Sequence, residues 1–337
     1  MTTLQSAFDT SRPTQEQTAL ISSLLTAMNT KDFAQKLINK GAAELYGSRL
    51  TGLCDVTSDV DICLVWKNFS QKSGPEADTM AKKVLERLRH LLIHLDGMTG
   101  VRVVPARTPV IHCVYQKVLT CDVTVQPYCV NQLANSATIS RIAAALPCLG
   151  PLVHAFKTWA IRREVYGSPQ GYLSTFMITT MIVHALQMHS PPYVEPQCPE
   201  PILNSSYQPP SPLEDLTWYV LRFFAMYDYA GGVISLHGRR TREDYRVHVQ
   251  TTGGLAPPPT AMVVEDLANC ENSARRVGPD QFEKIHRELC QCAARVQLVV
   301  DSPSKSSADF YEAFMGPVST ACPPGEERAE KKRTRKE

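Results

Sequence analysis

Residues 46–66 read YGSRLTGLCDVTSDVDICLVW, and this stretch decides the fold. Its second part, residues 60–66, is apolar and rich in β-branched side chains, which predicts a buried strand. Alternate side chains of a strand share one face, so Asp59 and Asp61 project together. Two carboxylates on one rigid face are costly unless a cation neutralises them, and oxygen ligands suit Mg²⁺ or Mn²⁺. The stretch therefore predicts a divalent metal site.

A Gly-Ser pair precedes these carboxylates and is separated from them by ten residues. The spacing of apolar residues predicts a helix over residues 22–45, so that Gly47 and Ser48 follow its end. Gly47 permits a tight turn close to a ligand, and Ser48 offers a hydroxyl and an N–H group to a phosphate.

A third carboxylate, Asp122, lies in another strand pattern at residues 118–125. Three carboxylates from two adjacent strands would form a two-metal site, in which one ion holds a triphosphate and the other activates an attacking hydroxyl. The alternative is that Asp59 and Asp61 are charges at a loop exit or sheet edge, and that Asp122 is a surface residue beside a turn. The Gly-Ser pair at this distance favours the metal site.

The composition is that of a globular protein: of 337 residues, 43% are hydrophobic and 20% are charged. This length suggests about two domains, and the apolar fraction excludes wholesale disorder. A formal net charge of +2 excludes a polycation, so a nucleic acid would need a local basic surface.

No apolar run of about 18 residues occurs, which predicts that no segment spans a membrane. The scattered 11 cysteines and the polar start favour mostly reduced thiols and a cytoplasmic location.

The pattern around the two Asp-bearing strands predicts a small mixed sheet. Apolar residues recur at helical spacing over 80–95, and strands are expected at 101–104, 110–115 and 118–125, with Gln116-Lys117 as a tight turn. From about residue 131 onward the pattern becomes mainly helical, with helices expected from Gly150-Pro151, over 173–188, over 213–229 and after a capping box formed by Asp280 and Glu283. We therefore expect an α+β, bilobal protein.

Further motifs follow in a fixed order: Asn135-Ser136, HAFKTWAIR at 154–162, GYLSTF at 171–176 and VVEDLANCENSARRV at 263–277. Together with the Gly-Ser and Asp-x-Asp motifs they resemble the RNA-specific terminal nucleotidyltransferases of the DNA polymerase β superfamily. These include terminal uridylyltransferases and Gld-2-type poly(A) polymerases. The short spacing between Asp61 and Asp122 leaves no room for an inserted domain and is similar to the minimal terminal uridylyltransferases of kinetoplastids.

The resemblance implies roles for the residues on the triphosphate side. Asp59, Asp61 and Asp122 match the catalytic, metal-binding carboxylates, with Asp122 nearest the attacking 3′-hydroxyl. The residues that match the phosphate-binding positions are Gly47, Ser48, Ser58 and Lys157. The family often carries a second lysine one helical turn after Lys157, and here that position is Ile161.

The resemblance also implies roles on the ribose and base side. Asn135 and Ser136 match the pair that reads the ribose, and Ser174, Thr175 and Phe176 match a segment whose hydroxyl touches phosphate and whose ring stacks on the base. The residues matching positions near the base edge are Asp266, Asn269 and Arg276, and Asn272 falls where some members carry a His that excludes adenine. The N3–H of uracil is a hydrogen-bond donor, and Asp266 or the side-chain oxygen of Asn269 offers an acceptor for it. The sequence therefore favours uracil over adenine.

Arg107 and the terminal KKRTRK segment have alternative interpretations. Arg107 contacts the RNA 3′ end or is an ordinary loop residue, and the terminal KKRTRK adds phosphate affinity, is a nuclear address or is a solvated tail. His154, His184 and His237 lie among apolar residues and are expected to be core histidines, and Trp159 is expected to be core.

The resemblance implies a catalytic domain at residues 30–140, a helical domain at 141–315 together with 1–29, and a charged tail at 316–337. The expected activity is transfer of UMP from UTP to the 3′-hydroxyl of single-stranded RNA, with two Mg²⁺ or Mn²⁺ ions as cofactors. The alternatives are a poly(A) polymerase on the same scaffold and an inactive scaffold that binds RNA or a protein. We expect a monomer whose RNA choice is loose or is delegated to a partner protein.

Overall fold

The computed structural model describes residues 2–37, 41–66, 75–105, 108–126, 128–189, 212–251 and 260–316. Two large hydrophobic cores organise the chain. One lies between a sheet and its helices, and the other lies among helices of the second half. The expected α+β, bilobal fold is confirmed.

A five-stranded mixed sheet forms the first lobe, in the order β1-β2-β5-β4-β3. Strands β2 and β5 are parallel, and every other neighbouring pair is antiparallel. After Tyr115 the chain turns through Gln116 and Lys117, which have φ values of 51° and 59°, so the predicted tight turn is confirmed. The strands are β1 (Ala42–Tyr46), β2 (Val60–Val65), β3 (Met98–Val104), β4 (Val110–Tyr115) and β5 (Leu119–Val125).

The helix expected over residues 22–45 is wrong. The structure has α2 (Gln15–Met28), a second short helix α3 (Lys31–Lys36) and then strand β1. Asn29 ends α2, and its amide bonds both the N–H and the carbonyl of Ala43, while Thr30 caps α3. Residues 42–46 become a strand because β2 offers them a partner, and that pairing buries Ala43 and Tyr46.

Two further helices complete the sheet lobe: α4 (Gly47–Thr51) and α5 (Pro75–Ile93). Gly47 and Ser48 therefore open a helix directly after a strand, rather than following the end of a helix as expected. Helix α5 covers the sheet with Val84, Leu88 and Leu92, which confirms the helical spacing predicted for this stretch.

The second lobe is helical, and its core holds Trp159, Phe224, Leu289 and Phe314. Helix α1 (Leu4–Ser11) joins this core through Leu4, whereas α2 packs on the sheet through Leu24 and Met28. The first 29 residues are thus divided between the lobes rather than all packed with the helices. The helices of this lobe are α6 (Val130–Ala145), α7 (Leu149–Arg162), α8 (Thr175–Gln187), α9 (Leu213–Ala225), α10 (Arg242–Thr251), α11 (Pro279–Val300) and α12 (Ser307–Met315). A two-stranded sheet, β6 (Gly232–Val233) and β7 (Arg240–Thr241), lies before α10.

Two local predictions in this lobe are wrong. Helix α11 has no capping box, because Gly278 is its N-cap and Pro279 occupies the first turn, so Asp280 already lies inside the helix. His237 is exposed rather than buried, whereas His184 and Trp159 are core residues as expected. His154 is half-buried, and its Nδ1 lies 3.2 Å from the Ser11 hydroxyl.

The cysteines are not all reduced in this structure. Cys63 of β2 and Cys129, the residue before α6, form a disulfide across 66 residues of sequence, which corrects the expectation for this pair. Seven other described cysteines are free thiols.

Within the described ranges no single helix is long and apolar enough to cross a membrane, although α6 and α7, joined at a bend of 116°, reach that length and composition together.

Candidate active site

The acidic residues lie on neighbouring strands, as predicted. In the parallel pair β2/β5, Asp61 stands directly beside Asp122, and Asp59 comes one residue before β2. Burial, reinforced by the charges of Asp122 and Asp59, raises the pKa of Asp61 to about 7. Burial and then the charge of Asp122 also raise the pKa of Asp59. The carboxylates therefore destabilise each other's ionised form, as expected for a group that needs a cation.

His112 is a neighbour of this group that the sequence reading missed. The β4/β5 register places it opposite Asp122, and its Nδ1 lies 2.9 Å from Asp122 Oδ1. The sequence could have predicted this pairing, because the short turn after Tyr115 fixes the register of β4 and β5. His112 therefore orients the Asp122 carboxylate from the strand on its other side.

Gly47 lies against the Asp61 carboxylate. Its φ is +67°, and a Cβ at this position would collide with Asp61, so both the conformation and the space require glycine. The Gly47 N–H donates to the Ser136 hydroxyl at 2.8 Å. The turn that carries Ser48 is thereby tied to helix α6.

Lys157 of α7 reaches across to the loop between Ser48 and Asp59. Its Nζ lies 2.6 Å from Asp55 Oδ2 and 3.4 Å from the Ser58 hydroxyl. Burial opposes ionisation of Asp55, but hydrogen bonds from Lys157, Thr57 and Ser58 outweigh it and hold the pKa of Asp55 well below its usual range. Asp55 was missed from the sequence because its partner lies 102 residues away.

A cavity of about 550 Å³ lies between the lobes and collects most of the predicted residues. Predicted residues that line it are Gly47, Ser48, Ser58, Asp59, Asp61, Asn135, Ser136, Lys157, Ser174, Thr175 and Phe176. Residues that the prediction did not include are Thr51, Leu53, Thr57, Ile139, Tyr166 and Thr179. Ile161 also lines the cavity and supplies no charge there, so Lys157 is the one lysine among the lining residues.

Asn135 connects this cavity to the second lobe. Its Nδ2 donates to Asp266 Oδ2 at 2.9 Å, which fixes the orientation of the amide. Its Oδ1 is buried and has no hydrogen-bond partner within the described part of the chain. An unpartnered buried acceptor in a cavity wall points to a hydroxyl donor on a ligand.

Comparisons with known proteins agree with this arrangement. Residues 1–140 match the family model described as the central palm domain of mitochondrial-like poly(A) RNA polymerase. A solved cytoplasmic RNA terminal U-transferase superposes with a TM-score of 0.71 at 18% identity, covering 94% of this chain and 98% of that one. Residues 1–140 are thus similar to the palm domain of that family, and 94% of the chain shares its fold with the solved terminal U-transferase.

Other similar proteins carry different names. Poly(A) RNA polymerase GLD2-B of Xenopus laevis is 26% identical over 223 residues, which is 60% of this chain and 43% of that protein. Terminal uridylyltransferase 7 of Homo sapiens is 21% identical over 181 residues, which is 53% of this chain and 11% of that protein. The chain thus spans less than half the length of these curated relatives. The solved apo form of mtPAP superposes with a TM-score of 0.74 at 17% identity, covering 93% of this chain and 73% of that one.

The segment after Val264 holds the remaining predicted residues. Asp266 lies at the edge of the cavity through its bond from Asn135, and its Oδ1 accepts from the N–H groups of Ala268 and Asn269. Asn269 and Arg276 are exposed and do not line the cavity. The structure therefore brings Asp266 to the site and leaves the other two outside it.

Asn272 is a structural residue and not a base-reading one. It is 6% exposed, its Oδ1 accepts from the N–H groups of Val264 and Ala274, and its Nδ2 donates to Thr260 and Met262. These bonds use both its donors and its acceptor, so the Asn272 side chain has no free polar group to offer a base. Arg107 and the KKRTRK segment lie outside the described residues.

The donor set fits hard divalent cations. The three carboxylates offer only oxygen atoms, and burial together with the charges of Asp122 and Asp59 raises the pKa of Asp61. Ser48 and Ser58 line the same cavity and add neutral oxygens, and the Ser58 hydroxyl lies 3.4 Å from Lys157 Nζ. The arrangement can hold a metal-bound triphosphate between Lys157 and the carboxylates.

Proposed function

We propose that the protein transfers a nucleoside monophosphate from a nucleoside triphosphate to the 3′-hydroxyl of single-stranded RNA. The observation that carries this proposal is that Asp61, which lines a cavity together with Asp59 and Lys157, lies beside Asp122 in the register of β2 and β5. The names of the relatives, which include poly(A) RNA polymerases and uridylyltransferases, support RNA as acceptor.

The residues divide the reaction between them. Asp59, Asp61 and Asp122 would hold two Mg²⁺ or Mn²⁺ ions, which when bound neutralise the triphosphate and activate the attacking hydroxyl. A bond forms between the RNA 3′-oxygen and the α-phosphorus, the bond to the β-phosphate bridging oxygen breaks, and pyrophosphate leaves. His112 keeps Asp122 oriented on the side of the acceptor.

The other cavity residues position the nucleotide. Lys157 exchanges its bond to Asp55 for the triphosphate, and the Ser48 hydroxyl binds a phosphate oxygen. The unpartnered Asn135 oxygen accepts from the ribose 2′-hydroxyl, which selects ribonucleotides. The Phe176 ring stacks on the base without choosing between bases.

We further propose UTP as the donor, because Asp266 offers acceptor oxygens that suit the uracil N3–H. The adenine amino group can donate to the same oxygens, and six of the GLD2 relatives are named poly(A) RNA polymerases at 24–27% identity. ATP is therefore the second candidate.

Extension of a 5′-labelled RNA oligonucleotide with each of the four nucleotides separately tests both levels of the proposal. We expect UTP to be used best, with either Mg²⁺ or Mn²⁺, and the Asp122→Ala variant to remove all extension. Better use of ATP would replace UTP by the second candidate. Nucleotide binding without extension of any primer would contradict the transferase activity and favour the inactive scaffold.

A further inference from the structure

A second cluster of metal-ligating side chains lies outside the nucleotide cavity. His248 of α10, Glu265 and Cys270 each offer one ligand atom, and these three atoms all lie within 4.8 Å of one another. Glu265 and Cys270 flank the turn that carries Asp266. The cluster therefore joins that turn to α10.

The spacing of the nitrogen and sulfur atoms suits a tetrahedral metal ion. His248 Nε2 lies 3.3 Å from Cys270 Sγ. Zinc–sulfur and zinc–nitrogen bonds of about 2.3 and 2.0 Å at a tetrahedral angle place the two ligand atoms ~3.5 Å apart. A direct S–H···N hydrogen bond would give a similar distance, so the third member of the cluster matters.

Glu265 is completely buried, and neighbouring groups orient its carboxylate. The Ser235 hydroxyl donates to one oxygen, and Arg240 Nη1 donates to the other at 2.8 Å. An ionised carboxylate has about four lone-pair sites, so two donors leave it able to bind a metal ion. Such outer hydrogen bonds are the usual way in which proteins orient carboxylate ligands.

The backbone of Cys270 adopts an unusual conformation that places the thiol in this cluster. Its φ is +56°, in the left-handed region that non-glycine residues rarely occupy. The Cys270 N–H donates to the Asp266 carbonyl at 3.0 Å, and the Tyr245 hydroxyl donates to the Cys270 carbonyl at 2.7 Å. Two bonds thus hold the residue in a conformation that costs free energy.

We propose that His248, Glu265 and Cys270 bind one zinc ion, with a water molecule as the fourth ligand. A mixed set of nitrogen, sulfur and oxygen donors suits zinc and does not suit magnesium. The thiol proton leaves to solvent when the sulfur binds the ion. The bound ion fixes the Asp266 turn to α10, and this role does not depend on which nucleotide the enzyme uses.

The metal content of the untagged full-length chain tests the site. After expression with added zinc and dialysis into metal-free buffer, we expect about one zinc ion per chain by mass spectrometry. Cys270→Ser should lose the zinc. Cys290→Ser is the matched control, because Cys290 lies 3.6 Å from His286 Nε2 in a second Cys–His pair without a carboxylate in the cluster, and it should keep the zinc.

Cobalt gives a readout that does not depend on any variant folding. Titration of the zinc-free wild-type chain with Co²⁺ should produce a thiolate-to-cobalt absorption band, and zinc should remove it by displacement. Added zinc should also raise the Tm of the wild-type chain by a few degrees and leave the Tm of Cys270→Ser unchanged. The absence of both zinc and the absorption band in the wild-type chain, or full zinc content in Cys270→Ser, would overturn the proposal.

Discussion

The buried acidic side chains of the two lobes have opposite electrostatic surroundings. On and beside the interior strands β2 and β5, Asp61, Asp59 and Asp122 repel one another, and burial together with that repulsion raises the pKa of Asp61 to about 7. In the helical lobe Glu265 is more deeply buried, yet Arg240 and Ser235 each donate a hydrogen bond to one of its oxygens. The first group favours binding of an exchangeable cation from solvent, whereas the Glu265 carboxylate already forms hydrogen bonds within the packed structure.

The ligand atoms of the two regions suit two kinds of metal ion: one that binds together with the substrate, and one that stays bound to the protein. The carboxylates of β2 and β5 offer oxygen ligands, and Asp59 and Asp61 line the cavity, which suits a hard ion that arrives with a triphosphate. The Glu265 cluster adds a histidine nitrogen and a cysteine sulfur, which suits an ion that stays. The following predictions test this comparison, beginning with the largest effect.

Neutralising one carboxylate in each region should have opposite consequences. Asp61→Asn should lower RNA extension by at least about 1000-fold, because metal binding supplies several kcal/mol to the transition state. It should not lower the free energy of unfolding, since it removes like-charge repulsion. Glu265→Gln should lower that free energy by about 3 kcal/mol, because it leaves Arg240 without its charged partner.

Urea unfolding in metal-free buffer, together with primer extension, measures both effects. The exposed Asp96→Asn variant serves as control and should change neither. A loss of stability in Asp61→Asn as large as that in Glu265→Gln would remove the distinction between the two regions.

Asp55 lies between these two cases. Its carboxylate forms an ion pair with Lys157, which must leave Asp55 in order to bind the triphosphate. Lys157→Ala should lower kcat/KM for the nucleotide by about 10- to 100-fold, the range for hydrogen bonds to charged groups, mainly through KM. Adding Asp55→Asn should recover part of the loss, because the unpaired carboxylate would otherwise repel phosphate. Steady-state kinetics measure this, with Arg162→Ala as control. A double variant as weak as Lys157→Ala alone would show that Asp55 does not oppose the nucleotide.

The buried network around Glu265 should also make the helical lobe sensitive to acid. His184 lies 2.8 Å from the carbonyl of Ser235, and burial lowers the pKa of His184 from 6.5 to about 4. Between these values the unfolded chain binds a proton that the folded chain does not, so stability falls as pH falls from about 6.5 toward 4. This group contributes about 2 to 3 kcal/mol to that loss.

Urea unfolding of the wild-type chain and of His184→Asn at several pH values isolates the contribution. The Asn amide can still donate to the Ser235 carbonyl but does not titrate, so the variant should lose less stability between pH 6.5 and 4.5. Equal losses in the two proteins would show that His184 is not the group responsible.

Asn135 links the two regions, and its removal should have the smallest effect. Asn135→Ala should reduce the preference for UTP over dUTP by about 10-fold, the value of one hydrogen bond to the 2′-hydroxyl. Asn131→Ala, one helical turn earlier on α6, is the control and should keep the wild-type ratio. An unchanged ratio in Asn135→Ala would show that another group reads the ribose.

The strands that carry the three aspartates were predictable because their signals are local. Alternating and continuous apolar runs define β2 and β5, and the acidic residues interrupt them at one face. The first helices were not predictable in the same way. Leu24, Met28, Phe33 and Leu37 keep a helical spacing past the true end of α2, and only pairing with β2 makes residues 42–46 a strand.

Residues of the candidate site were predictable where a sequence motif contains them. They were missed where their role depends on a contact between two distant segments. Asp55 and His112 are ordinary in sequence, and they matter because Lys157 and Asp122 lie beside them. Asn272 shows the converse, because its position in a motif suggested base recognition while its hydrogen bonds hold the turn together.

The order of residues along the chain was sufficient to determine which side chains share a strand face and which helices have an apolar side, because both depend on the backbone repeat. Tertiary structure decided which charges are paired: Lys157 forms an ion pair with Asp55 and Arg240 with Glu265, whereas within the described residues Asp61 forms no ion pair and has Asp122 and Asp59 as neighbours. Pairing depends on separations of a few ångströms between segments far apart in the chain, and the local repeat carries no information about those separations.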